Sequence, residues 1–227
     1  MTISTNLANI SERIRAAAIK SGRDPAQIRL VAVSKTRPAA DITAAFLAGQ
    51  CIFGENYIQE LVPKLVEVRE PVQWHFIGHL QSNKVKYIVG RVALIHTVDR
   101  ISLAQEINRQ WGKLGKVCDV LIQVNISGEA TKSGTTEDGA LQLVREAALL
   151  PHIRVRGLMT MPPFFDDPET ARPYFAELRR LSEIVAAQEI PGVEMMELSM
   201  GMSGDFEAAV QEGATLVRVG TAIFGAR

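Results

Sequence analysis

Eight short apolar segments recur along this chain, and each is separated from the next by a stretch with helical patterning. They lie at residues 29–34, 51–53, 73–77, 92–96, 117–124, 153–159, 195–199 and 215–220. Short runs rich in Val, Leu and Ile that are bounded by turn signals are typical of strands buried on both faces. Regular alternation of strands and helices favours parallel strands joined by helical crossovers. Eight such units predict an α/β protein with a closed (β/α)8 barrel of the TIM type.

Helical patterns of the right length connect these segments. The clearest cover residues 38–48, 55–70, 100–111, 136–150 and 168–188. An amphipathic helix is also predicted before the first strand, because Leu7, Ile10, Ile14, Ala17 and Ala18 recur at helical spacing. Since little sequence follows the eighth strand, we expect this extra N-terminal helix to complete the outer ring. An open, doubly wound sheet is the alternative architecture.

Composition and charge limit the classes of function. The 227 residues are 47% hydrophobic and have 25 basic and 25 acidic side chains, which is enough material for one globular domain over residues 1–227. The balanced charge gives no indication of a nucleic-acid partner. No apolar run approaches the roughly 20 residues that span a bilayer, and no secretory signal precedes the first helix. We therefore expect a cytoplasmic protein without membrane association.

The two cysteines and the helix surfaces give weaker indications. Cys51 and Cys118 lie in or beside apolar runs and outside any C-x-x-C spacing. We expect both to be reduced core thiols, and we expect no metal site. The helical pattern at 168–188 has no heptad seam long enough to decide the oligomeric state, and a monomer is the expectation.

Lys35 directly follows the apolar residues 30–34 of the first predicted strand. On strand alternation it shares a face with Val31 and Val33. Desolvation lowers the pKa of a lysine, and the neutral amine is then able to attack a carbonyl carbon. Lys35 is therefore a candidate Schiff-base lysine. The alternative is that it lies just past the strand and extends its ammonium group into solvent.

Glycine and hydroxyl residues follow the last two predicted strands. Residues 199–204 read SMGMSG, and residues 220–221 read GT. In a closed barrel the site lies at the C-terminal ends of the strands, and phosphate is often held after strands seven and eight. Glycines let backbone N–H groups approach an anion, and hydroxyl groups donate to it. A phosphate-bearing ligand fits, although each segment alone also fits an ordinary helix cap or turn.

Arg218 lies inside the eighth predicted strand, between Val217 and Val219. A buried charge must be paired or hydrogen-bonded. Its partner is expected to be a carboxylate such as Glu197 or a ring nitrogen of a bound cofactor. Pyridoxal 5′-phosphate has an aldehyde for a lysine, a phosphate for a glycine-rich segment and a ring nitrogen that is often met by Asp or Arg. The sequence therefore predicts this cofactor.

Several long motifs resemble the pyridoxal-phosphate homeostasis protein family over nearly the whole chain. They include LVAVSKTRP at 30–38, FGENYIQE at 53–60, WHFIGHLQSNK at 74–84, LSMGMSGDFEAAV at 198–210 and VRVGTAIFGAR at 217–227. The resemblance implies a barrel like the N-terminal domain of alanine racemase, with Lys35 in Schiff-base linkage to the cofactor. It implies that the segments at 199–203 and 220–221 hold the phosphate and that Arg218 faces the pyridine nitrogen. The cofactor-binding set is then Lys35, Asn56, Ser199, Met200, Gly201, Ser203, Arg218, Gly220 and Thr221.

The same resemblance implies a role in the storage and supply of the cofactor, with PLP-dependent apo-enzymes as recipients and without established catalysis. Two physical arguments also favour a protein that is not an enzyme. Racemisation needs a second acid/base group, which relatives of this fold obtain from an additional C-terminal domain of a partner subunit. An arginine at the ring nitrogen also does not keep that nitrogen protonated, which weakens the cofactor as an electron sink.

Two enzymatic alternatives remain open at this point. A weak PLP-dependent amino-acid racemase or decarboxylase would need a proton-transfer group, and the candidates are Tyr57, His75, His79 and Tyr87. A phosphosugar aldolase or isomerase would use Lys35 as its imine lysine. Glu55 and Glu197 are the candidate acid/base carboxylates for that chemistry.

Overall fold

An eight-stranded parallel barrel forms the centre of the computed structural model, which describes residues 2–129 and 131–225. Each strand pairs with the next, and β1 pairs with β8, so the barrel is closed. The strands are β1 Arg29–Val33, β2 Ile52–Glu55, β3 Gln73–Phe76, β4 Leu94–Val98, β5 Cys118–Gln123, β6 Ile153–Met159, β7 Val193–Ser199 and β8 Leu216–Val219. The (β/α)8 prediction is confirmed, and the open sheet is wrong.

Helices surround the barrel. They are α1 Ile3–Lys20, α2 Ala39–Leu47, α3 Ile58–Glu67, α4 Ile101–Gly112, α5 Glu137–Ala148, α6 Arg172–Ala186, α7 Phe206–Gln211 and α8 Thr221–Phe224. Short 3-10 turns lie at Pro25–Gln27, Ser82–Tyr87 and Pro168–Ala171. The turn at Ser82–Tyr87 replaces an α-helix in the crossover from β3 to β4.

The N-terminal helix α1 completes the ring beside β8. The hydroxyl oxygen of Thr2 caps it by accepting a hydrogen bond from the backbone N–H of Thr5, and its buried side chains are those of the predicted apolar stripe. The helix packs against α7, α8 and α2. Asn6 Nδ2 donates to the carbonyl oxygen of Ile223 at 2.8 Å, which ties α1 to α8. The expected position of α1 is therefore the one observed.

The interior of the barrel is only partly apolar. Val31, Leu94, Leu121, Met159 and Leu216 form a small buried cluster inside it. The much larger hydrophobic cluster includes the residues between the strands and the outer helices. His75, His96, Ser199 and Arg218 are also buried, and they lie on β3, β4, β7 and β8. These buried polar side chains therefore need hydrogen-bond partners inside the barrel.

The boundaries of a strand differ from the sequence prediction where backbone pairing continues beyond the apolar residues. Strand β2 extends to Glu55 because Gly54 and Glu55 continue to pair with His75 and Phe76, although neither residue is a strand former.

The expectation for the cysteines is wrong in one case, because Cys51 is exposed while Cys118 is buried. Within the described ranges, no helix combines the length and the apolar composition needed to cross a lipid bilayer.

Candidate functional site

A cavity of about 300 Å³ lies at the C-terminal end of the barrel. Its volume is at the lower end of the range for small-molecule sites. Six of the nine predicted site residues line it: Lys35, Asn56, Ser203, Arg218, Gly220 and Thr221. The fold therefore brings together residues from the ends of β1, β2, β7 and β8 that are far apart in the sequence.

Lys35 lies two residues beyond the end of β1, in the turn that leads to α2. The residue is half-buried and lines the cavity. The next residue, Thr36, has a φ of 64°, a left-handed conformation that costs a non-glycine residue about 1–2 kcal/mol. The backbone N–H of Thr36 donates to Glu60 Oε2 at 2.6 Å. A contact from α3 thus holds the strained turn that presents Lys35.

A buried group of charged residues on β2 and α3 contacts the same turn. Lys64 Nζ donates to Glu55 Oε1 at 2.7 Å and to the carbonyl oxygen of Ser34 at 2.8 Å. Ser34 Oγ also donates to Glu55 Oε1 at 2.7 Å. Burial raises the pKa of Glu55, against the opposing effect of the Lys64 and Ser34 hydrogen bonds. With Glu60, which is 3.7 Å from Lys64, these residues form the Glu55–Lys64–Glu60 cluster.

The cluster fixes the backbone on both sides of Lys35. Lys64 holds the carbonyl group of Ser34, and Glu60 holds the N–H of Thr36. Sequence reasoning identified Glu55 only as a possible acid/base group and missed Lys64 and Glu60 entirely. The signal that could have found them is the ionic spacing of Glu60 and Lys64, four residues apart on an amphipathic helix.

Asn56 follows β2 and lines the cavity. Its Oδ1 atom is buried and has no hydrogen-bond partner within the described residues. The backbone here is tightly packed, because a Cβ atom on Gly78 would lie 2.0 Å from the carbonyl oxygen of Asn56. A buried acceptor without a donor is costly. The cavity therefore suits a ligand that donates a hydrogen bond at Asn56.

Arg218 is buried, and burial lowers its pKa to about 10, so its side chain stays charged at neutral pH. Its Nη1 atom donates to Ser199 Oγ at 2.5 Å, and its Nη2 atom donates to the carbonyl oxygen of Thr160 at 2.9 Å. A guanidinium has five N–H donors, so these two bonds leave others for the cavity. Glu197 was one of the two partners that the sequence suggested for Arg218, and that alternative is wrong. Glu197 instead bonds to Arg29 and to the hydroxyl of Thr215.

The segments after β7 and β8 meet at the cavity. Ser203 Oγ accepts a hydrogen bond from the backbone N–H of Gly220 at 3.3 Å, and α8 begins at the next residue, Thr221. The first N–H groups of a helix have no intrahelical acceptor, so the start of α8 offers donors to a ligand. Asp205 was missed by the sequence reasoning. It lines the cavity, its Oδ1 accepts from the N–H of Met202 at 2.6 Å, and burial raises its pKa.

Three predicted site residues, Ser199, Met200 and Gly201, do not line the cavity. The Ser199 side chain is fully buried against Arg218 and His96, and Met200 belongs to the hydrophobic core. Gly201 has a φ of 88°, and a Cβ atom there would lie 2.5 Å from the Cβ of Ala209. These residues shape the segment and hold α7 close to it, and direct ligand contact is not supported for them.

The loop between β6 and α6 supplies an apolar wall that the sequence reasoning missed. Its lining residues are Met161, Phe164, Phe165, Pro168 and Ala171. The ring of Phe165 stacks on Tyr174 with centroids 5.7 Å apart, whereas Phe164 is 81% exposed. The available signal was the apolar sequence directly after β6, because the loops at the C-terminal ends of barrel strands form the site in this fold.

The proton-transfer candidates lie elsewhere. Tyr57 and His79 line a separate cavity of about 250 Å³ that shares Asn56 with the first. His75 is buried in the barrel interior. Neither these residues nor Tyr87 belong to the lining of the Lys35 cavity. Asp205 is the carboxylate that lines it.

Comparisons with known proteins agree on one family. The family model for the alanine racemase N-terminal domain matches residues 5–227. A pyridoxal phosphate homeostasis protein from Aquifex aeolicus is 43% identical over 228 residues, covering 100% of this chain and 99% of the relative. A crystal structure from Bifidobacterium adolescentis has a TM-score of 0.93 and 37% identity, covering 98% of this chain and 94% of the other. PipY from Synechococcus elongatus, with PLP bound, has a TM-score of 0.85 and 35% identity, covering 99% of this chain and 100% of PipY.

Proposed function

We propose that this chain, which belongs to the pyridoxal phosphate homeostasis protein family, binds pyridoxal 5′-phosphate in the cavity at the C-terminal end of its barrel. One observation carries the proposal. A lysine, a buried arginine and two glycine- and hydroxyl-containing segments line a single cavity, although they come from three different parts of the sequence. Each matches one functional group of this cofactor.

Lys35 is the residue that would hold the cofactor covalently. In that role its Nζ atom would add to the aldehyde carbon, and loss of one water molecule would leave a C=N bond without any oxidation or reduction. The amine must be unprotonated to attack, and Lys35 is half-buried in the cavity lining. The Glu55–Lys64–Glu60 cluster fixes the backbone of the turn, so the side chain is presented from a defined position.

The other residues of the cavity lining fit the phosphate, the ring nitrogen and the hydroxyl group of the cofactor. Ser203 and Thr221 offer hydroxyl groups, and Gly220 and the start of α8 offer close backbone approach to the phosphate. Arg218 has only donors, so it suits an unprotonated pyridine nitrogen. Asn56 Oδ1 is a buried acceptor that a ligand hydroxyl group satisfies. The residues present therefore fit the group, whose chemistry as an electron sink is weak when its ring nitrogen is unprotonated.

The role that this site supports best is storage and supply of the cofactor to PLP-dependent apo-enzymes, without catalysis of its own. The tyrosines and histidines considered for proton transfer lie outside the cavity lining. The alternative, a weak PLP-dependent racemase or decarboxylase, would have to use Asp205, whose raised pKa makes it a possible proton carrier. The phosphosugar alternative has no support, because neither Glu55 nor Glu197 lines the cavity. A cytoplasmic location and a monomeric state stay predictions.

The test begins with the absorption spectrum of the purified protein before and after borohydride reduction, followed by peptide mapping. We expect a reducible yellow chromophore fixed on Lys35. Lys35→Ala should lose it, and Lys84→Ala, which changes a lysine outside this cavity, should keep it. A protein that takes up no added pyridoxal phosphate, or an adduct on another lysine, contradicts the proposal.

The supply role needs a second experiment. The holoprotein is mixed with a PLP-dependent apo-enzyme, with and without a phosphatase that destroys free pyridoxal phosphate. Recovery of activity in both mixtures indicates direct transfer, whereas recovery only without phosphatase indicates release. If turnover of amino acids by the holoprotein itself depends on Asp205, the enzymatic alternative replaces the supply role.

A further inference from the structure

A chain of four buried polar side chains crosses the barrel interior from the Lys35 cavity toward the opposite end. Arg218 Nη1 donates to Ser199 Oγ at 2.5 Å, and Ser199 Oγ lies 2.8 Å from His96 Nδ1. His96 Nε2 in turn lies 3.0 Å from His75 Nδ1. The exposed fractions of the four side chains run from 0% to 4%. Such a chain is stable only if each member has its hydrogen bonds satisfied.

The directions of these hydrogen bonds follow from the donors available. Arg218 has no acceptor, so one lone pair of Ser199 Oγ takes its N–H. The Ser199 hydroxyl hydrogen then needs an acceptor, and among the described residues Ser199 Oγ contacts only Arg218 and His96 Nδ1. Ser199 must therefore donate to His96 Nδ1. A proton on His96 Nδ1 would leave a fully buried hydroxyl hydrogen unpaired, which costs about 1–3 kcal/mol.

The rest of the chain is then fixed. With Nδ1 accepting, neutral His96 has its hydrogen on Nε2 and donates to His75 Nδ1. His75 then has its hydrogen on Nε2. That N–H has no partner within residues 2–129 and 131–225. His75 lines a polar cavity of about 140 Å³ near the N-terminal ends of the strands, which Glu197 and Asp119 also line.

We propose that Ser199, His96 and His75 are positioning residues for Arg218: they form a one-way hydrogen-bonded chain of neutral groups whose acceptor ends all point toward the guanidinium. No carboxylate lies within salt-bridge distance of Arg218 in the described part of the chain. Aligned dipoles stabilise the buried charge without neutralising it. Asp205 lines the same cavity beyond salt-bridge distance and acts on this charge from there. The remaining N–H donors of Arg218 are available to the cavity.

The surroundings keep both histidines neutral. Burial lowers the pKa of His96 well below its usual value, and the positive charges of Arg218 and Arg29 act in the same direction. Burial also lowers the pKa of His75, with Arg29 again contributing. Protonation of His96 would place a donor against the Ser199 hydroxyl and break the chain. The geometry and the charges thus agree on the same protonation state.

The direct test is ¹⁵N–¹H correlation NMR of the imidazole rings in the ligand-free protein. The chain has four histidines, so His79→Gln and His152→Gln variants complete the assignment. We expect His75 and His96 to be neutral, with hydrogen on Nε2 and an accepting Nδ1, from pH 5 to pH 8. Hydrogen on Nδ1 of either residue, or a charged ring at pH 6, overturns the proposal. This experiment needs no cofactor, so its result is independent of the proposed function.

A second test asks whether the chain acts on the ligand, and it rests on the proposed function. Ser199→Ala removes the acceptor for Arg218 and the donor for His96. We expect it to weaken pyridoxal phosphate binding about 10- to 100-fold, the effect of losing a hydrogen bond to a charged group. It should also shift the absorption maximum of the bound cofactor and give mixed tautomers at His96. The matched control is Ser182→Ala, a buried serine on α6 outside the chain.

The possible results distinguish failure of the positioning role from failure of the proposed function. A Ser199→Thr variant retains a hydroxyl group and should restore the spectrum and the His96 tautomer. Unchanged affinity, spectrum and tautomer in Ser199→Ala contradict the positioning role even when the variant is folded. Absence of cofactor binding in the unaltered protein contradicts the proposed function alone, because the tautomers then still decide whether the chain has the stated direction.

Discussion

The ammonium of Lys64 lies 2.7 Å from Oε1 of Glu55, and both side chains are almost fully buried beside the turn that carries Lys35. Breaking a buried ion pair on one side leaves an uncompensated charge, which is strongly destabilising. The same ammonium holds the carbonyl oxygen of Ser34. The pair therefore contributes both to stability and to the position of the candidate cofactor lysine.

Lys64→Met should lower the free energy of unfolding by about 3–5 kcal/mol, because it leaves Glu55 buried without its cation. Adding Glu55→Gln to that variant should recover a substantial part of the loss, since the remaining side chain is then neutral. Urea denaturation of the two variants and the unaltered protein measures the difference. A loss below about 1 kcal/mol in Lys64→Met would show that the pair is not the buried contact described.

Glu60→Ala should slow imine formation with pyridoxal phosphate, because it releases the N–H of Thr36 and with it the strained conformation after Lys35. Removal of a hydrogen bond to a charged group costs about 1.5–3 kcal/mol, and we expect a rate reduced by about tenfold or more. The control is Glu67→Ala, an exposed carboxylate on the same helix. Stopped-flow absorbance at the imine band gives both rates. Equal rates in the two variants would remove the role assigned to Glu60.

The buried histidines should make the protein sensitive to acid. Burial lowers the pKa of His75 to about 3, whereas in the unfolded chain it titrates near about 6.5. Between these values the unfolded state binds a proton that the folded state does not. The contribution of His75 to stability is therefore complete above about pH 6.5 and falls by about 1.4 kcal/mol per pH unit as the pH drops toward 3.

Comparison of variants isolates this effect, because the raised pKa values of Glu55 and Asp205 act in the opposite direction in the same pH range. His75→Gln should have a slope of unfolding free energy against pH that is smaller than that of the unaltered protein by about 1.4 kcal/mol per pH unit between pH 4 and 6. Ser182→Ala, which removes no titratable group, should leave the slope unchanged. Parallel slopes for all three proteins would show that His75 titrates normally in the fold.

The sequence predicted the architecture because each strand and helix has a local apolar pattern, and eight repeats of that pattern leave few topologies. It also singled out Lys35 and Arg218, since a charge next to or inside an apolar strand is conspicuous, and both line the cavity. Their roles toward a cofactor stay predictions. The sequence did not predict the contacts between side chains that are far apart in sequence. Glu197 was one of two partners considered for Arg218, but the guanidinium donates to Ser199 and to the carbonyl oxygen of Thr160 instead. Lys64 was missed because a lysine on a helix is normally solvent-exposed.

The phosphate segments give a prediction that separates recognition of phosphate from imine formation. Ser203→Ala combined with Thr221→Val should weaken binding of pyridoxal phosphate much more than binding of pyridoxal, which lacks the phosphate. Each lost hydrogen bond to a charged group costs about 1.5–3 kcal/mol, so the preference for the phosphorylated form should fall at least about 100-fold. Titration of both ligands by absorbance measures this preference. An unchanged ratio would place the phosphate elsewhere.

Substitution of Asp205 tests whether its negative charge affects anion binding in the Lys35 cavity. Its carboxyl group accepts the N–H of Met202 and lines the cavity, so an ionised Asp205 opposes an anionic ligand. Asp205→Asn retains an acceptor for that N–H and removes the charge, and we expect it to bind inorganic phosphate more tightly at pH 8. Because burial raises the pKa of Asp205, the difference from the unaltered protein should shrink as the pH falls through that raised pKa and the native carboxyl group becomes neutral. Calorimetric titration at pH 8 and pH 5 measures both affinities, with Asp205→Ala as the control that also loses the acceptor. A difference that stays constant with pH would show that the charge of Asp205 does not act on the anion, and that the residue serves only to hold the loop at Met202.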